Sequence, residues 1–500
     1  MNASTRRYTC GYTLLFGLLA WLNRYDIWLS LPPVSIHQWR QADGAATAWH
    51  YAQNPDFWEV AVCNLFYAGD AHAVGELPLL YWLAGLVSHY WGDPAYPLRW
   101  IGLLLLFVAC WAFGWVLLRL SGRLAIAVLG SGLLLTSPVL SYYGPSFLPD
   151  TPAFCFVLIM LACLFRANEK ESRAWLFAAG IMAALAILLK LSMAIAPIAL
   201  AITWLLGKWQ RRWQASTLWN GHWPLVVAAA AAGVILGFRW WIMEYNAAHH
   251  ATYFLTTTRP IWNYDWPFVK ETFVMMGRFG LPAFASAGLY LASLGGIWLS
   301  LKNWKSTDFV IRNTFVFTAL GSMAYMLLWF RMLREHDYYF ICLLVVPAFL
   351  LLNWIRLAMP RYAEKRIVYA LSLCLLLGIG HNRYLMSKRL RLAFHPETSL
   401  NLPPDAFLPP TEIPISQSAR VLCPEDPSPN IALFALQRHG WTAYNFGDRI
   451  TADTLYKYQT QFGLSHLALR DTAFYSPLYR KFFQTKVSAG KGWYFYARGW

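Results

Sequence analysis

The sequence predicts an α-helical protein that crosses a membrane about eleven times and ends in a small α/β domain. Of its 500 residues, 58% are hydrophobic and 13% are charged, and this charged share is about half that of an average soluble domain. Apolar runs that approach the roughly 20 residues of a membrane-spanning helix recur as far as residue 382. From about residue 392 the chain becomes polar and rich in proline, which is typical of a linker that leads into a soluble domain.

The charge balance indicates a lipid bilayer as the partner of the basic residues. The formal net charge is +16, and in a multi-pass protein Lys and Arg concentrate in the short cytoplasmic loops. No basic run with interleaved aromatic residues forms a soluble patch, so we expect no nucleic-acid partner. The eight Cys residues contain no CxxC pair, which argues against a structural zinc site of the cysteine type. Arg6 and Arg7 precede the first apolar run, which predicts an uncleaved signal anchor.

Hydropathy predicts the spans in order. They lie near residues 9–30, 98–118, 124–143, 151–166, 174–189, 191–207, 223–243, 280–300, 311–330, 338–355 and 367–382. Residues 77–91 are also apolar, but the segment is short and contains Ser88 and His89, so we expect a helix that lies at the outer surface. With this choice every short basic loop faces the cytoplasm. The N-terminus is then inside and the C-terminus outside.

One group of basic residues disagrees with this topology. Arg383, Lys388, Arg389 and Arg391 follow the last span and would lie outside. Either they contact lipid phosphate or one late span is miscounted, and the sequence leaves both explanations open.

We place the domain boundary after residue 383, so that 1–383 form the membrane domain and 384–500 form the linker and an extracytoplasmic α/β domain. In the second part we expect strands at 419–423 and 466–470, a further strand from Trp441, and helices at 429–438 and 452–462. The C-terminal segment GWYFYARGW predicts an antiparallel edge strand. The domain contains no GxGxxG or P-loop motif, so we expect a passive cap or an acceptor-docking module without catalytic residues.

The predicted topology places many ionisable residues at the outer ends of the spans. Such groups are costly near membrane depth and by default mark a functional site, so we expect them to meet in one extracytoplasmic cavity. They are Asp43, Glu76, Asp150, Lys190, His249, His250, Arg259, Arg331, Arg334, Glu335, His336 and Asp337.

Plain structural roles compete with the functional ones for the main candidates. Asp43 and Asp150 could each cap the N-terminus of a helix, since Asp is a favoured capping residue. Glu76 could be a helix-start carboxylate. Lys190 could extend to the lipid headgroups or bind the phosphate of a lipid. The charged residues 331–337 could form a solvated turn.

The adjacent His249 and His250 raise the question of a divalent metal. With a nearby carboxylate they could bind one, but neither HxxxH nor HExxH spacing supports the site. We therefore expect no cofactor and retain a divalent ion at His249 and His250 as an alternative.

Several stretches together resemble the GT-C class of glycosyltransferases, and in particular its protein O-mannosyltransferase and aminoarabinose transferase members, which use polyprenyl-phosphate sugars. The stretches are HQWRQAD at 37–43, ELPLLYWLAGL at 76–86, YGPSFLPDTPAF at 143–154, Lys190 at the end of the fifth span, and EHDYY at 335–339. The resemblance covers residues 1–349. There are two departures: Leu77 stands where aminoarabinose transferases carry Lys, and Gly44 follows Asp43 where mannosyltransferases carry Asp-Glu.

The resemblance implies a GT-C fold in a bacterial inner membrane, an extracytoplasmic active site and transfer with inversion from a polyprenyl-phosphate-linked sugar. The acceptor would be a glycan, a lipid or a protein. By position, Asp43 would be the general base, and Asp150 and Glu76 would be further acidic residues of the catalytic site.

Cations and polar side chains complete the predicted site. The expected donor-phosphate ligands are Arg40, Lys190, Arg259, Arg331 and Arg334, and the expected acceptor or sugar rim is Gln41, Tyr143, His336, Asp337 and Tyr338. The alternative function is a transporter or flippase of a lipid-linked glycan. Transporters tend to place polar groups at mid-membrane, whereas the charges here lie at the outer span ends.

Overall fold

The computed structural model describes residues 3–66, 69–92, 97–254, 257–390, 402–446 and 450–499. The first half of the membrane domain contains α1 (Ala3–Leu22), α2 (Tyr25–Trp28), α3 (Gln38–Gln53), α4 (Leu79–Trp91), α5 (Pro97–Ser121), α6 (Leu124–Leu135), α7 (Pro138–Tyr143), α8 (Asp150–Lys170) and α9 (Arg173–Leu189). The second half contains α10 (Ile195–Trp209), α11 (Thr217–Asn220), α12 (Trp223–Ala248), α13 (Trp266–Met275), α14 (Leu281–Phe284), α15 (Ala287–Lys302), α16 (Phe309–Leu328), α17 (Phe330–Glu335), α18 (Val345–Ala358) and α19 (Glu364–Arg389).

The predicted fold class is confirmed, and a helix stands at each predicted span. By length and hydropathy, six helices in the described part of the chain can cross a membrane, or seven if one bent pair counts as a single span. The count is below eleven because α6 and α9 are short, with 12 and 17 residues, and because polar residues lie within the other two helices. These are Arg6 and Arg7 in α1, and His381, Asn382 and Arg383 in α19.

Two predicted spans are broken. The span predicted at 124–143 divides into α6 and α7, because Thr136 ends one helix and Pro138 begins the next. The span predicted at 280–300 belongs to a helix pair, Trp266–Phe284 and Ala287–Lys302, that bends by 94°. At this bend the hydroxyl of Ser286 accepts a hydrogen bond from the backbone N–H of Leu289 and thereby caps α15.

Ion pairs join several of the basic loops at one end of the helix bundle. Arg119 contacts Glu169 at 2.7 Å, Arg123 contacts Glu364 at 3.2 Å and Arg356 contacts Asp308 at 3.3 Å. Since Glu169 lies in the last turn of α8 and Asp150 in its first, Asp150 lies at the opposite end of the bundle. The predicted separation of basic loops from candidate site residues is therefore present in the fold.

The expected surface helix is α4, which has 13 residues and so spans roughly 20 Å, less than the roughly 30 Å of a bilayer core. It lies beside α3.

The basic residues after the last span have a structural explanation in part. Helix α19 continues past the predicted boundary at 383 as far as Arg389. The Arg389 side chain is buried and forms an ion pair with Asp337. At this position burial in the protein replaces the contact with lipid phosphate. Arg391 lies outside the described residues.

The C-terminal domain is the expected small α/β domain. Its elements are β1 (Arg420–Cys423), α20 (Ile431–Ala435), β2 (Gly440–Thr442), α21 (Ala452–Gln461), β3 (Leu464–Leu469), α22 (Pro477–Phe482), β4 (Thr485–Gly490) and β5 (Trp493–Ala497). The sheet order is β2-β1-β3-β5-β4. The C-terminal strand β5 is antiparallel as predicted, but it lies inside the sheet, because β4 pairs with its other side and forms the edge.

The sheet docks on the loop that connects α3 to α4. The backbone N–H of Leu65 donates to the carbonyl of Gly440 at 2.7 Å, and the N–H of Gly440 donates to the carbonyl of Cys63 at 3.2 Å. Gly440 is required here, since a Cβ at this position would lie 1.8 Å from the Val421 carbonyl oxygen. This contact brings the C-terminal domain to the end of the bundle where Asp43 lies.

Candidate active site

A cavity of about 1160 Å³ opens at the end of the helix bundle where Asp43 lies. Its polar end is lined by side chains from four separate regions of the chain: His37, Arg40 and Asp43; Glu76; Lys190; and His336, Tyr338 and Tyr339. Its apolar side is lined by α10 and α16, including Ile198, Ile202 and Leu320. The predicted meeting of distant charged residues in one hollow is therefore present in part: of the twelve expected residues, Asp43, Glu76, Lys190, Glu335 and His336 line the cavity.

Helix α3 carries Asp43 into this cavity. The chain enters α3 through two residues with left-handed backbone, Ser35 (φ 64°) and His37 (φ 57°), a conformation that costs about 1 kcal/mol or more outside glycine. Because α3 begins at Gln38, Asp43 lies inside the helix, and the explanation of Asp43 as an N-terminal cap is wrong. Gly44 lets α3 pack directly on the turn before α8, since a Cβ there would lie 2.2 Å from the Phe147 carbonyl oxygen.

Two hydrogen bonds hold the buried Asp43 carboxylate. The Tyr253 hydroxyl donates to Oδ2 at 2.7 Å, and the Asn430 amide donates to Oδ1 at 2.9 Å. The Trp39 indole N–H in turn donates to the Tyr253 hydroxyl at 2.7 Å. Burial raises the pKa of Asp43 to about 6, although the Arg40 charge and the two hydrogen bonds act in the opposite direction. A carboxylate with this pKa is mostly ionised at neutral pH and is more basic than an exposed one.

Asn430 comes from the C-terminal domain, for which we expected a passive cap or an acceptor-docking role. Its loop is fixed by Asp426, whose carboxylate accepts hydrogen bonds from the Ser428 hydroxyl at 2.6 Å and from the backbone N–H of Ala432 at 2.7 Å. Tyr444 of the same domain also lines the cavity. The expectation of a domain that only covers the membrane part is therefore wrong in geometry: the domain completes the surroundings of Asp43.

Arg40 and Glu76 form an ion pair at the cavity wall. The Tyr81 hydroxyl donates to the same Glu76 carboxylate at 2.7 Å. Burial alone would raise the pKa of Glu76, but the Arg40 and Lys190 charges hold it below its usual value. The nearest Arg40 nitrogen lies 3.9 Å from Asp43. Glu76 thus fixes the Arg40 guanidinium, and both remain charged.

Lys190 lies between α9 and the 3₁₀ turn Leu191–Ala194, and its ammonium contacts Asp150 at 3.0 Å. Burial by itself lowers the pKa of Lys190, but the Asp150 carboxylate raises it above its usual value. The ammonium also lies 4.6 Å from the ring centre of Tyr339. Asp150 does not cap α8 through its side chain and is not among the described residues that line the cavity. Asp150 therefore positions Lys190.

The predicted rim is present in part. His336 and Tyr338 line the cavity together with His37. Burial, with the nearby His37, lowers the pKa of His336 to about 3, so this imidazole is neutral throughout the physiological range.

The other three predicted rim residues lie in the protein interior. Gln41 donates to the backbone carbonyls of Val34 and Ile36. The Tyr143 hydroxyl donates to Asp337 at 2.6 Å. Asp337 itself is held by the ion pair with Arg389. None of the three is among the described residues that line the cavity. Their polar contacts are made to other parts of the protein, and Gln41 Oε1 is buried without a hydrogen-bond partner in the described part of the chain.

Three predicted phosphate ligands also lie outside the cavity lining. Arg331 is paired with Glu335 at 2.8 Å and Arg334 with Glu271 at 2.8 Å. The backbone of Arg259 pairs with that of Leu328 and Arg331. Local clustering of charge in 331–337 therefore predicted the right region, but neither of its two arginines lines the cavity.

The cavity contains a cation that our sequence interpretation missed. Arg239 of α12 lines it, and among the residues that the structure describes no carboxylate forms an ion pair with it. The sequence signal was available, since Arg239 is the one charged residue within the span predicted at 223–243 and such residues mark functional sites. Tyr253 and Asn430 gave no comparable signal.

The possible metal ligands are rearranged. His249 lies with Asp70 and His72 in a half-buried cluster whose ligand atoms are all within 4.8 Å of one another. His250 is not part of this cluster.

Part of the chain matches a known protein family. Residues 72–241 match the model of a family described as dolichyl-phosphate-mannose-protein mannosyltransferase. No curated protein matches the sequence.

Three solved structures share the architecture. ArnT from Cupriavidus metallidurans in the apo state is similar with a TM-score of 0.61, 11% identity and 98% of each chain covered. The same protein bound to undecaprenyl phosphate is similar with a TM-score of 0.59, 11% identity and 97% of each chain covered. The Archaeoglobus fulgidus oligosaccharyltransferase in complex with Zn and sulfate gives a TM-score of 0.54, 13% identity, and coverage of 95% of this chain and 71% of that one.

The structural likeness extends beyond residue 349, where we expected it to end, and includes the C-terminal domain. By its fold, this membrane protein is therefore similar to ArnT and to the archaeal oligosaccharyltransferase, and residues 72–241 match the mannosyltransferase family model.

Proposed function

We propose that the protein transfers a sugar from a polyprenyl-phosphate-linked donor to a hydroxyl group of an acceptor, with inversion at the anomeric carbon. The observation that carries the proposal is the composition of one cavity: a buried carboxylate, Asp43, lies beside cations and opens onto an apolar groove. A lipid-phosphate sugar needs these three environments together. The acceptor class is a glycan, a lipid or a protein.

The leaving group explains why one base is enough. The acceptor oxygen forms a bond to the anomeric carbon as the bond from that carbon to the phosphate oxygen breaks, and the bonding pair leaves with polyprenyl phosphate. Phosphate is stable as an anion and needs no general acid, in contrast to the alcohol that leaves in glycoside hydrolysis, where paired carboxylates are used. The proton of the acceptor hydroxyl passes to Asp43 and is later released to water.

Asp43 suits the role of general base. Its pKa of about 6 keeps it ionised at neutral pH and close to the optimum for proton transfer, a contribution that is typically about 10² to 10⁴-fold. Tyr253 and Asn430 fix the orientation of its two oxygens. The strained entry to α3 at His37 and the close packing at Gly44 fix its position.

Three cations in the cavity suit the donor phosphate. Lys190 and Arg40 are each held by a carboxylate, Asp150 and Glu76, so their positions are set before the substrate binds. Arg239 approaches from α12 and adds a guanidinium, whose fork geometry matches phosphate oxygens. Asp150 and Glu76 are accordingly positioning residues, and Asp43 is the catalytic carboxylate.

The apolar side of the cavity suits the polyprenyl chain. Ile198 and Leu320 line the cavity and are also 55% and 50% exposed, so the wall between α10 and α16 opens sideways toward the bilayer. A lipid tail could enter from the membrane while its phosphate reaches the cations. We infer that the cavity faces away from the cytoplasm, in a bacterial inner membrane, because the basic loops lie at the other end of the bundle.

The test is a transfer assay with the full chain purified in detergent. Labelled polyprenyl-phosphate sugars are supplied with glycan, lipid and peptide acceptors, and the anomeric configuration of the product is determined by NMR. The proposal expects labelled acceptor with inverted configuration. A protein that moves lipid-linked glycan across sealed vesicles but transfers no sugar in detergent would instead be the transporter.

A further inference from the structure

A cluster of metal-ligating side chains lies beside the cavity, where the loop between α3 and α4 meets the end of α12. Asp70 and His72 belong to the loop, and His249 directly follows α12. Asp70 Oδ2 lies 2.6 Å from His249 Nδ1, and Asp70 Oδ1 lies 2.5 Å from His72 Nδ1. None of these three residues is among those that line the cavity, so the cluster is separate from the proposed transfer site.

The donor set is that of a zinc site. Two imidazole nitrogens and one carboxylate oxygen make up a common three-residue zinc ligand set, in which water completes the tetrahedron. Imidazole ligands favour zinc and its neighbours over magnesium or calcium. The side chains of Asp70, His72 and His249 are 31%, 27% and 27% exposed, so an ion from solution can reach them.

A second carboxylate supports the same conclusion independently. Glu59 Oε2 lies 3.0 Å from Nε2 of His72, the ring nitrogen that faces away from Asp70. A carboxylate that accepts a hydrogen bond from Nε2–H keeps the proton on that nitrogen and leaves the Nδ1 lone pair free for a metal. This carboxylate–histidine–metal arrangement is the usual support for a zinc ligand.

We propose that Asp70, His72 and His249 bind one Zn²⁺ ion, with water as the fourth ligand and Glu59 as the hydrogen-bond partner of His72. The Asp70–imidazole contacts would widen to roughly 3.3 Å, the separation of ligands in a tetrahedral zinc site. Both histidines would bind through Nδ1, in the neutral form.

The ion would fasten the loop to α12. Hydrogen bonds already join the same two elements: the Tyr245 hydroxyl accepts from the backbone N–H of Val60 at 2.9 Å, and the Asn246 amide donates to the Val74 carbonyl at 2.8 Å. The chain then continues from His249 to Tyr253, which donates to Asp43. A bound ion would therefore stabilise the wall on the Tyr253 side of the site.

The experiment measures metal directly and does not depend on sugar transfer. The full chain in detergent is stripped with a chelator, equilibrated with ZnCl₂, desalted and analysed for zinc. We expect one zinc per chain, and a higher unfolding temperature with zinc than without it. His72→Ala and His249→Ala should each lose the zinc and the temperature shift, and Glu59→Gln should weaken zinc affinity by about 10 to 100-fold.

The adjacent His250 provides the matched control. His250→Ala should bind zinc as the wild type does, because His250 is outside the cluster. The unfolding temperature of each stripped variant is compared with that of the stripped wild type, and equal temperatures show that a lost ion does not reflect a lost fold. Asp70→Asn tests the same site with an isosteric change. Failure of the wild type to rebind zinc, or unchanged zinc content in the His72→Ala/His249→Ala protein, would overturn the proposal.

Discussion

The hydrogen bond from Asn430 to Asp43 makes a specific prediction about pH dependence. In the wild type, the activity should rise as pH increases through about 6, because Asp43 acts as a base only when it is ionised. Asn430→Ala removes a hydrogen bond of 2.9 Å to the ionised form. The loss of this bond makes the ionised form less stable relative to the protonated form, so the pKa of Asp43 must rise.

The size of the shift follows from the type of bond. A hydrogen bond to a charged group contributes about 1.5–3 kcal/mol, which is equivalent to about one to two pKa units. The midpoint of the acid limb of the pH–activity profile should therefore move from about pH 6 to roughly pH 7–8. At pH 7 the variant should keep roughly a tenth to a half of the wild-type rate, and it should approach that rate at high pH.

The assay is sugar transfer by the purified protein from pH 5 to about 9, with kcat and KM measured separately. Asn445→Ala is the matched control, because Asn445 bonds to Asn64 in the same domain contact but does not touch Asp43. The control should change the unfolding temperature and leave the acid limb in place. An acid limb that stays at its wild-type position, or moves to lower pH, in Asn430→Ala would refute the assignment of Asp43 as the titrating base.

Two further predictions concern the cations. Arg239→Ala should raise the donor KM by about 10 to 100-fold, because it removes a charge-assisted phosphate contact. Arg331→Ala, which removes an exposed partner of Glu335, should leave the donor KM unchanged. Equal donor KM values in steady-state assays of the two variants would contradict the role of Arg239. Lys190→Met should lower the free energy of unfolding by about 3–5 kcal/mol, because it leaves the Asp150 carboxylate buried without its cation. Lys190→Met/Asp150→Leu should recover stability in denaturant unfolding but should not recover transfer activity. Recovery of both would show that Lys190 has no part in donor binding.

The helices were predictable because membrane insertion imposes a local requirement. A run of about 20 apolar residues must be helical to satisfy its own backbone in lipid, and α5 and α8 show this directly. The breaks were harder to place. Pro138, which begins α7, was a sequence signal for the division between α6 and α7 that our predicted span did not use. The composition around Ser286 does not indicate the 94° bend.

The site was predictable to the extent that it depends on charge in an apolar sequence. Asp43, Arg40, Glu76 and Lys190 stand out for this reason, and all four line the cavity. Arg239 obeys the same rule and could have been found. Side chains such as Gln41 and Tyr143 were misplaced because sequence spacing cannot show whether a side chain forms its hydrogen bonds inside the protein.

The largest omission was the C-terminal domain. Asn430 lies 387 residues after Asp43, and an Asn in a short loop has no local property that indicates a partner at such a distance. Its role follows from docking of β2 on the loop between α3 and α4, which is a property of tertiary packing. The absence of soluble-enzyme motifs from this domain was a poor guide to its role. The domain contributes two side chains, Asn430 and Tyr444, to a site that the membrane domain mainly builds.

The most direct test of the account is the transfer rate of Asp43→Asn, measured with saturating donor in parallel with donor binding. The amide keeps the shape of the side chain but cannot accept the acceptor proton. The account predicts a rate that falls by at least about 10²-fold while donor affinity and unfolding temperature stay close to those of the wild type. Wild-type turnover in this variant would contradict the assignment of Asp43 as the base.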